Sequence, residues 1–133
     1  MKKIITLLLP VLFLITACSK DQKVVRQLDG TWSVTDVKEN GASVNKSEYD
    51  GRKFNFEKCK VSKGACNGST SQQGITVAFT YKITEDGEKL TTTTTYYGAS
   101  YSNTYDIIEH SNSKFIISYV DGKDITETTM EKE

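Results

Sequence analysis

The stretch Ile75-Thr76-Val77-Ala78-Phe79-Thr80-Tyr81-Lys82-Ile83-Thr84 alternates larger apolar residues with small or polar ones over its whole length. A period of two places Ile75, Val77, Phe79, Tyr81 and Ile83 on one face of an extended strand and the other five on the opposite face. Working outward, Trp32 and Val34 alternate with Ser33 and Thr35, and Phe54 and Phe56 with Asn55 and Glu57. A weaker run spans Ala65 to Ser71. Downstream come Leu90 to Tyr97, Thr104 to Glu109, Lys114 to Val120 and Lys123 to Glu131. These runs are rich in β-branched and aromatic residues, which suits half-buried strands. The repeat Thr91 to Thr95 reads as part of such a strand. Asn40-Gly41, Asp50-Gly51, Asp86-Gly87 and Asp121-Gly122 separate the runs, and such pairs tolerate the positive φ of tight hairpins.

The strand count is eight. From Leu28 to Glu131 that leaves about 13 residues per strand and turn, too few for the helical crossovers of a parallel sheet. An antiparallel meander is the economical arrangement, and closing it removes exposed edges. The expected fold is all-β: an eight-stranded antiparallel up-and-down β-barrel preceded by a short helical or extended segment. Eight strands enclose an interior either filled by side chains or able to hold one small ligand.

Composition sets the outer limits. The chain has 133 residues, with 17 Lys+Arg against 17 Asp+Glu, and a pI near 6.6. One domain is expected at that length, and the balanced charge argues against a nucleic-acid partner, which calls for a basic face. A mean hydropathy of −0.44 with 37% hydrophobic residues argues against a polytopic membrane protein and allows one modest core.

The N-terminus reads as an address. Met1-Lys2-Lys3 is basic, and Ile4 to Ile15 is an apolar run broken by Thr6 and Pro10. It is shorter than the roughly 20 residues a membrane span requires and fits a secretory signal. The ending Ile15-Thr16-Ala17-Cys18 resembles the bacterial lipobox. That resemblance implies cleavage before Cys18 and lipid attachment there (diacylglycerol, palmitate). Cleavage would remove Lys2 and Lys3 and leave a slight excess of acid. Two or more acyl chains hold a protein stably at a membrane without a spanning helix. The expected organisation is 1–17 signal peptide, 18–27 lipidated Cys and tether, and 28–133 barrel domain. The expected location is the bacterial cell envelope, anchored to the outer membrane on its periplasmic face or at the cell surface. Lys20-Asp21 resembles the export signal of surface lipoproteins.

With Cys18 lipidated, Cys59 and Cys66 remain as an even pair in an oxidising compartment. A structural disulfide across Ser62-Lys63-Gly64 is the leading reading, with two free thiols as the alternative. The spacing is not Cys-x-x-Cys, so a redox or zinc role lacks support.

Leu28-Asp29-Gly30-Thr31-Trp32 resembles the Gly-x-Trp signature that opens the first strand of lipocalins. It is still more similar to the start of lipocalin-like (calycin-type) domains in bacterial lipoproteins. The resemblance implies that Gly30 and Trp32 are structural, with Trp32 packed across the closed end of the barrel. It also implies that Glu39 to Gly51 is the long first loop partly covering the open end. No Arg lies near the C-terminus to stack on Trp32, since the only arginines are Arg26 and Arg52.

Ile107-Ile108 and Ile116-Ile117 put apolar residues on both faces of neighbouring strands. A helix carrying Val24, Val25 and Leu28 is expected to cover them from outside.

The chemistry-bearing residues are sparse. His110 is the only histidine and sits in a polar turn-like segment, and no nucleophile or phosphate-loop motif accompanies it. Asp121-Gly122-Lys123-Asp124 lacks the remainder of a calcium-loop pattern. No catalytic residue, metal or cofactor is expected. Phe54, Phe56, Phe79, Tyr81, Tyr96, Tyr105, Phe115 and Tyr119 alternate in the phase to face inward, as ligand-binding residues or as a filled aromatic core. Tyr49, Tyr97 and Tyr101 are expected on the rim or in loops. The leading expectation is a membrane-anchored, non-enzymatic binder of a small hydrophobic or amphipathic ligand. A filled barrel acting on a protein partner through its surface is the alternative. A third reading, an isomerase-type enzyme, would require a base facing the cavity.

Overall fold

The computed structural model describes residues 18–133, so the expected signal peptide, 1–17, lies outside the described residues. A helix, α1 (Lys20–Leu28), leads into nine strands. They are β1 (Gly30–Glu39), β2 (Ala42–Ser43), β3 (Lys53–Phe56), β4 (Cys66–Gln72), β5 (Ile75–Thr84), β6 (Lys89–Tyr96), β7 (Ala99–His110), β8 (Lys114–Asp121) and β9 (Asp124–Lys132). β2 is a two-residue return onto the end of β1. The other eight are antiparallel neighbours in chain order, and β1 pairs with β9 to close the barrel. The strand over 75–84 is β5, with Phe79, Tyr81 and Ile83 buried and their neighbours exposed.

Local chemistry places the turns. Asn40 and Gly41 both have positive φ, as a two-residue hairpin that follows the strands' twist requires. Gln73-Gly74 and Tyr97-Gly98 adopt the same paired positive φ. Their first residues carry no turn signal, which is why the sequence marks these turns less clearly. Two bulges bend the wall, one between Val34 and Asp36 in β1 and one between Ile107 and Glu109 in β7.

The polar stretch Ser19 to Lys23, expected as a tether, is the cap and first turns of α1. The Ser19 hydroxyl accepts from the Gln22 N–H at 3.1 Å, satisfying one free donor of the first turn. Val24, Val25 and Leu28 lie on one face and are essentially inaccessible to water. That face closes one end of the barrel instead of covering the isoleucine pairs. Ile108 is 57% exposed because it is the extra residue of the β7 bulge and points away from the wall. Ile117 is buried inside and Ile107 packs on the core.

Glu39 to Gly51 lies beside the open end, but it is ordered chain. It contains β2 and a 3₁₀ turn at Lys46–Glu48, and its Tyr49 is buried, not on the rim.

Candidate functional site

The closed end is built around Trp32, which is wholly buried. Its indole N–H donates to the Leu28 carbonyl at 2.8 Å, so β1 and the end of α1 are tied through the ring. Lys132 stands over the indole, Nζ 5.1 Å from the ring centroid, and donates to the Gln27 carbonyl at 2.8 Å. The cationic partner that the sequence lacks as an arginine is therefore a lysine from the last strand. Gly30, at φ 126°, gives β1 the backbone turn that delivers Trp32 to this position.

Other side chains lock α1 onto the same end. Gln22 donates from Nε2 to the Cys59 carbonyl and accepts at Oε1 from the Val61 N–H, both at 2.9 Å. Asp21 accepts from the Gly87 N–H at 2.7 Å. His110 Nδ1 lies 2.6 Å from Gln27 Oε1, so the single histidine is a helix-to-strand latch. Cys59 and Cys66 are disulfide-bonded, with Cα atoms 5.4 Å apart, and the bridge carries the Val61–Lys63 3₁₀ turn against α1. Cys18 is an exposed free thiol immediately before the helix cap.

Above this floor the barrel encloses a cavity of about 410 Å³. Five of the eight inward-phase aromatics line it: Phe54, Phe56, Phe79, Tyr105 and Tyr119. Three do not. Tyr81 lies at the closed end, where its hydroxyl donates to the Glu57 carbonyl at 2.8 Å. Phe115 packs between Trp32 and Phe56 at centroid distances of 6.1 and 6.4 Å. Both belong to the plug because their strands begin or end there. Tyr96 has the inward phase but is 54% exposed. The β5–β6 pairing stops at Thr80 and Thr93, so the end of β6 stands clear of the wall and Tyr96 points past the mouth. Tyr97 is fully exposed at the hairpin tip, and Tyr101 lies on β7, not in a loop, at 63% exposure.

Sequence reading missed the rest of the lining: Arg52, Thr70, Leu90, Thr92, Thr94, Asn103, Ile117, Thr126 and Thr128. Strand phase was the signal that could have found most of them. In the threonine run, Thr91, Thr93 and Thr95 form an outer hydroxyl ladder with Thr104, Ser102 and Ser100, at 2.8–3.2 Å. Thr92 and Thr94 face the cavity. Each inward row also changes character along the barrel. From the floor to the mouth, β3 with the residue before it reads Phe56, Phe54, Arg52, β6 reads Leu90, Thr92, Thr94, and β8 reads Ile117, Tyr119.

Burial pushes the Tyr81 and Tyr105 phenols above their ordinary value. At Tyr105, hydrogen bonds with Thr92 and Asn103 oppose the shift. Both are neutral hydroxyls at ordinary pH. The rings of Tyr105 and Tyr119 are 5.4 Å apart and form one wall. Among the described residues no group of three or more His, Cys, Asp or Glu is placed to hold a metal ion.

No protein-family model matches the chain, and no curated protein matches it. Among solved structures, a lipocalin-like protein from Bacteroides uniformis is similar at a TM-score of 0.54 and 18% identity, over 80% of this chain and 99% of that one. A mutant of the fluorescent protein UnaG is similar at a TM-score of 0.46 and 14% identity, over 82% of this chain and 98% of that one. The first likeness and the closed eight-stranded topology together establish the fold, which is that of a lipocalin-like β-barrel.

Proposed function

We propose that this protein is a non-enzymatic binder of a small amphipathic molecule, held in the barrel and anchored to the cell envelope through lipid on Cys18. The observation that carries the binding role is the graded cavity. At about 410 Å³ it falls within the range of roughly 300–1,000 Å³ typical of ligand pockets, with an aromatic floor and a hydroxyl-rich mouth. Its ionisable lining groups are one guanidinium and two phenols, with no carboxylate or imidazole. That wall offers recognition and no evident general base, which favours binding over an isomerase-type reaction.

The anchoring reading gains an orientation. Cys18 directly precedes the cap of α1, and α1 is bonded to the closed end at several points. A lipidated Cys18 would hold the closed end against the bilayer and turn the mouth away from it.

Native mass spectrometry of the domain starting at Ser19, before and after solvent extraction, tests the binding role. An excess mass lost on extraction is expected, and a bare mass from an expression host that makes the ligand would overturn it. Full-length protein should fractionate with membranes and Cys18→Ser should not; equal fractionation would remove the anchor.

A second reading, docking of a protein partner, is favoured by exposed Tyr96, Tyr97 and Tyr101 around the β6–β7 hairpin. It does not require the barrel to be filled.

A further inference from the structure

We infer that the cavity selects an anionic amphiphile, whose head group is bound by Arg52 at the mouth while its apolar body rests on Phe54, Phe56 and Phe79. This rests on the binding role proposed above and adds the charge of the ligand.

Arg52 heads the inward row that continues through Phe54 and Phe56, and it lines the cavity. The residue is half-buried, and its guanidinium is held by neutral acceptors only. Nε–H donates to Gln72 Oε1 at 3.0 Å and Nη2–H to the Glu48 carbonyl at 3.1 Å. Gln72 in turn donates from Nε2 to the same Glu48 carbonyl at 3.0 Å, which fixes the amide that orients Arg52. Glu48 contributes its backbone oxygen here. Among the described residues the ion pairs fall on Lys46, Lys53, Lys58, Lys89 and Lys114, and none reaches Arg52.

The guanidinium carries five donors in a rigid fork. Two are used in holding it, which leaves three for another acceptor. With no ion pair made within the chain, the opposite charge is left to be supplied from outside it. An anionic head group at the mouth would supply it through paired N–H···O bonds. The grading of the walls agrees, because Thr92 and Thr94 follow Leu90 toward the mouth as Arg52 follows Phe56 and Phe54.

Two dyes with one ring skeleton separate charge from shape. Anilinonaphthalene sulfonate is an anion, and phenylnaphthylamine is its neutral counterpart. Wild-type protein should bind the sulfonate about tenfold or more tightly than the neutral dye, the scale of a charge-assisted hydrogen bond. Rising salt should weaken only the sulfonate. Arg52→Gln should abolish the preference, weakening the sulfonate about tenfold more than the neutral dye, while Arg52→Lys should retain part of it. Thr92→Trp, which fills the cavity, should exclude both dyes. Equal wild-type affinities, or a sulfonate preference insensitive to both salt and Arg52→Gln, would overturn the inference while leaving the binding cavity intact. Failure of the wild type to bind either dye, or of Thr92→Trp to exclude them, would overturn the cavity reading and this inference with it. The salt and wild-type comparisons decide the matter even if an Arg52 variant fails to fold.

Discussion

Gly68 lies opposite Phe79 on the neighbouring strand, and the space its side chain would occupy is filled by that ring. A Cβ there would stand 2.5 Å from Phe79 Cε2 and 2.9 Å from the Asn55 carbonyl. Gly68→Ala must therefore displace Phe79 into the cavity, at a cost of about 1–3 kcal/mol typical of overpacking. Chemical denaturation should show that loss, and neutral-dye binding should weaken in parallel. The buried phenols make a second prediction at this scale. Both Tyr81 and Tyr105 have folded pKa values raised above the ordinary 10.0. Their contribution to stability is complete below about pH 10 and is lost as pH rises through their folded values. Unfolding free energy measured against pH should fall on that alkaline side, and Tyr81→Phe should shallow the fall. An unchanged slope in Tyr81→Phe would assign the effect elsewhere.

The helix is the element with the largest structural role for its size. Nine residues supply three core side chains, an indole acceptor and the cap of the barrel. Val25 is completely buried, so Val25→Asp would place a carboxylate in the floor without a partner. A loss of about 3 kcal/mol or more is expected, read as a drop in Tm. A Tm within experimental error of wild type would show that α1 is not required for the barrel. The Cys59–Cys66 bridge closes a short loop, with a sequence separation of 7. Chain entropy gives a stabilisation of about 2.5 kcal/mol for a loop of that size. Reduction, or replacement of both cysteines by serine, should lower Tm by about 10 °C, and the effect should be largest at the α1 end.

At the scale of the molecule, the two ends of the barrel differ in packing. The closed end carries the dense aromatic packing, Trp32 with Phe115, Phe56 and Tyr81, together with the bonds to α1. The open half is less tightly joined, since β5 and β6 part beyond Thr80 and Thr93. Under the proposed binding role, stability and recognition lie at opposite ends. Ligand should stabilise the whole barrel by mass action, about 2.7 kcal/mol at a hundredfold excess over Kd. Ligand-loaded protein should accordingly melt about 10 °C above solvent-extracted protein. Equal melting temperatures would show that the extracted molecule had not occupied the folded interior.

The alternation in each run, with Asn-Gly and Asp-Gly pairs marking some of the turns, was enough to read an antiparallel meander of eight strands, because side-chain period and turn conformation are local properties. Gly30 and Trp32 likewise announced where the barrel begins. The strand phase could name the aromatics that face inward, but not how far along the axis each one lies. That distance depends on register and closure, which put Tyr81 and Phe115 in the floor and carried Tyr96 past the mouth. The same holds for Lys132 over Trp32 and for Arg52 beside Gln72. Lys132 reaches Trp32 only through closure of the barrel, and Arg52 reaches Gln72 only through the register of β3 on β4. No local pattern encodes a contact between the first strand and the last.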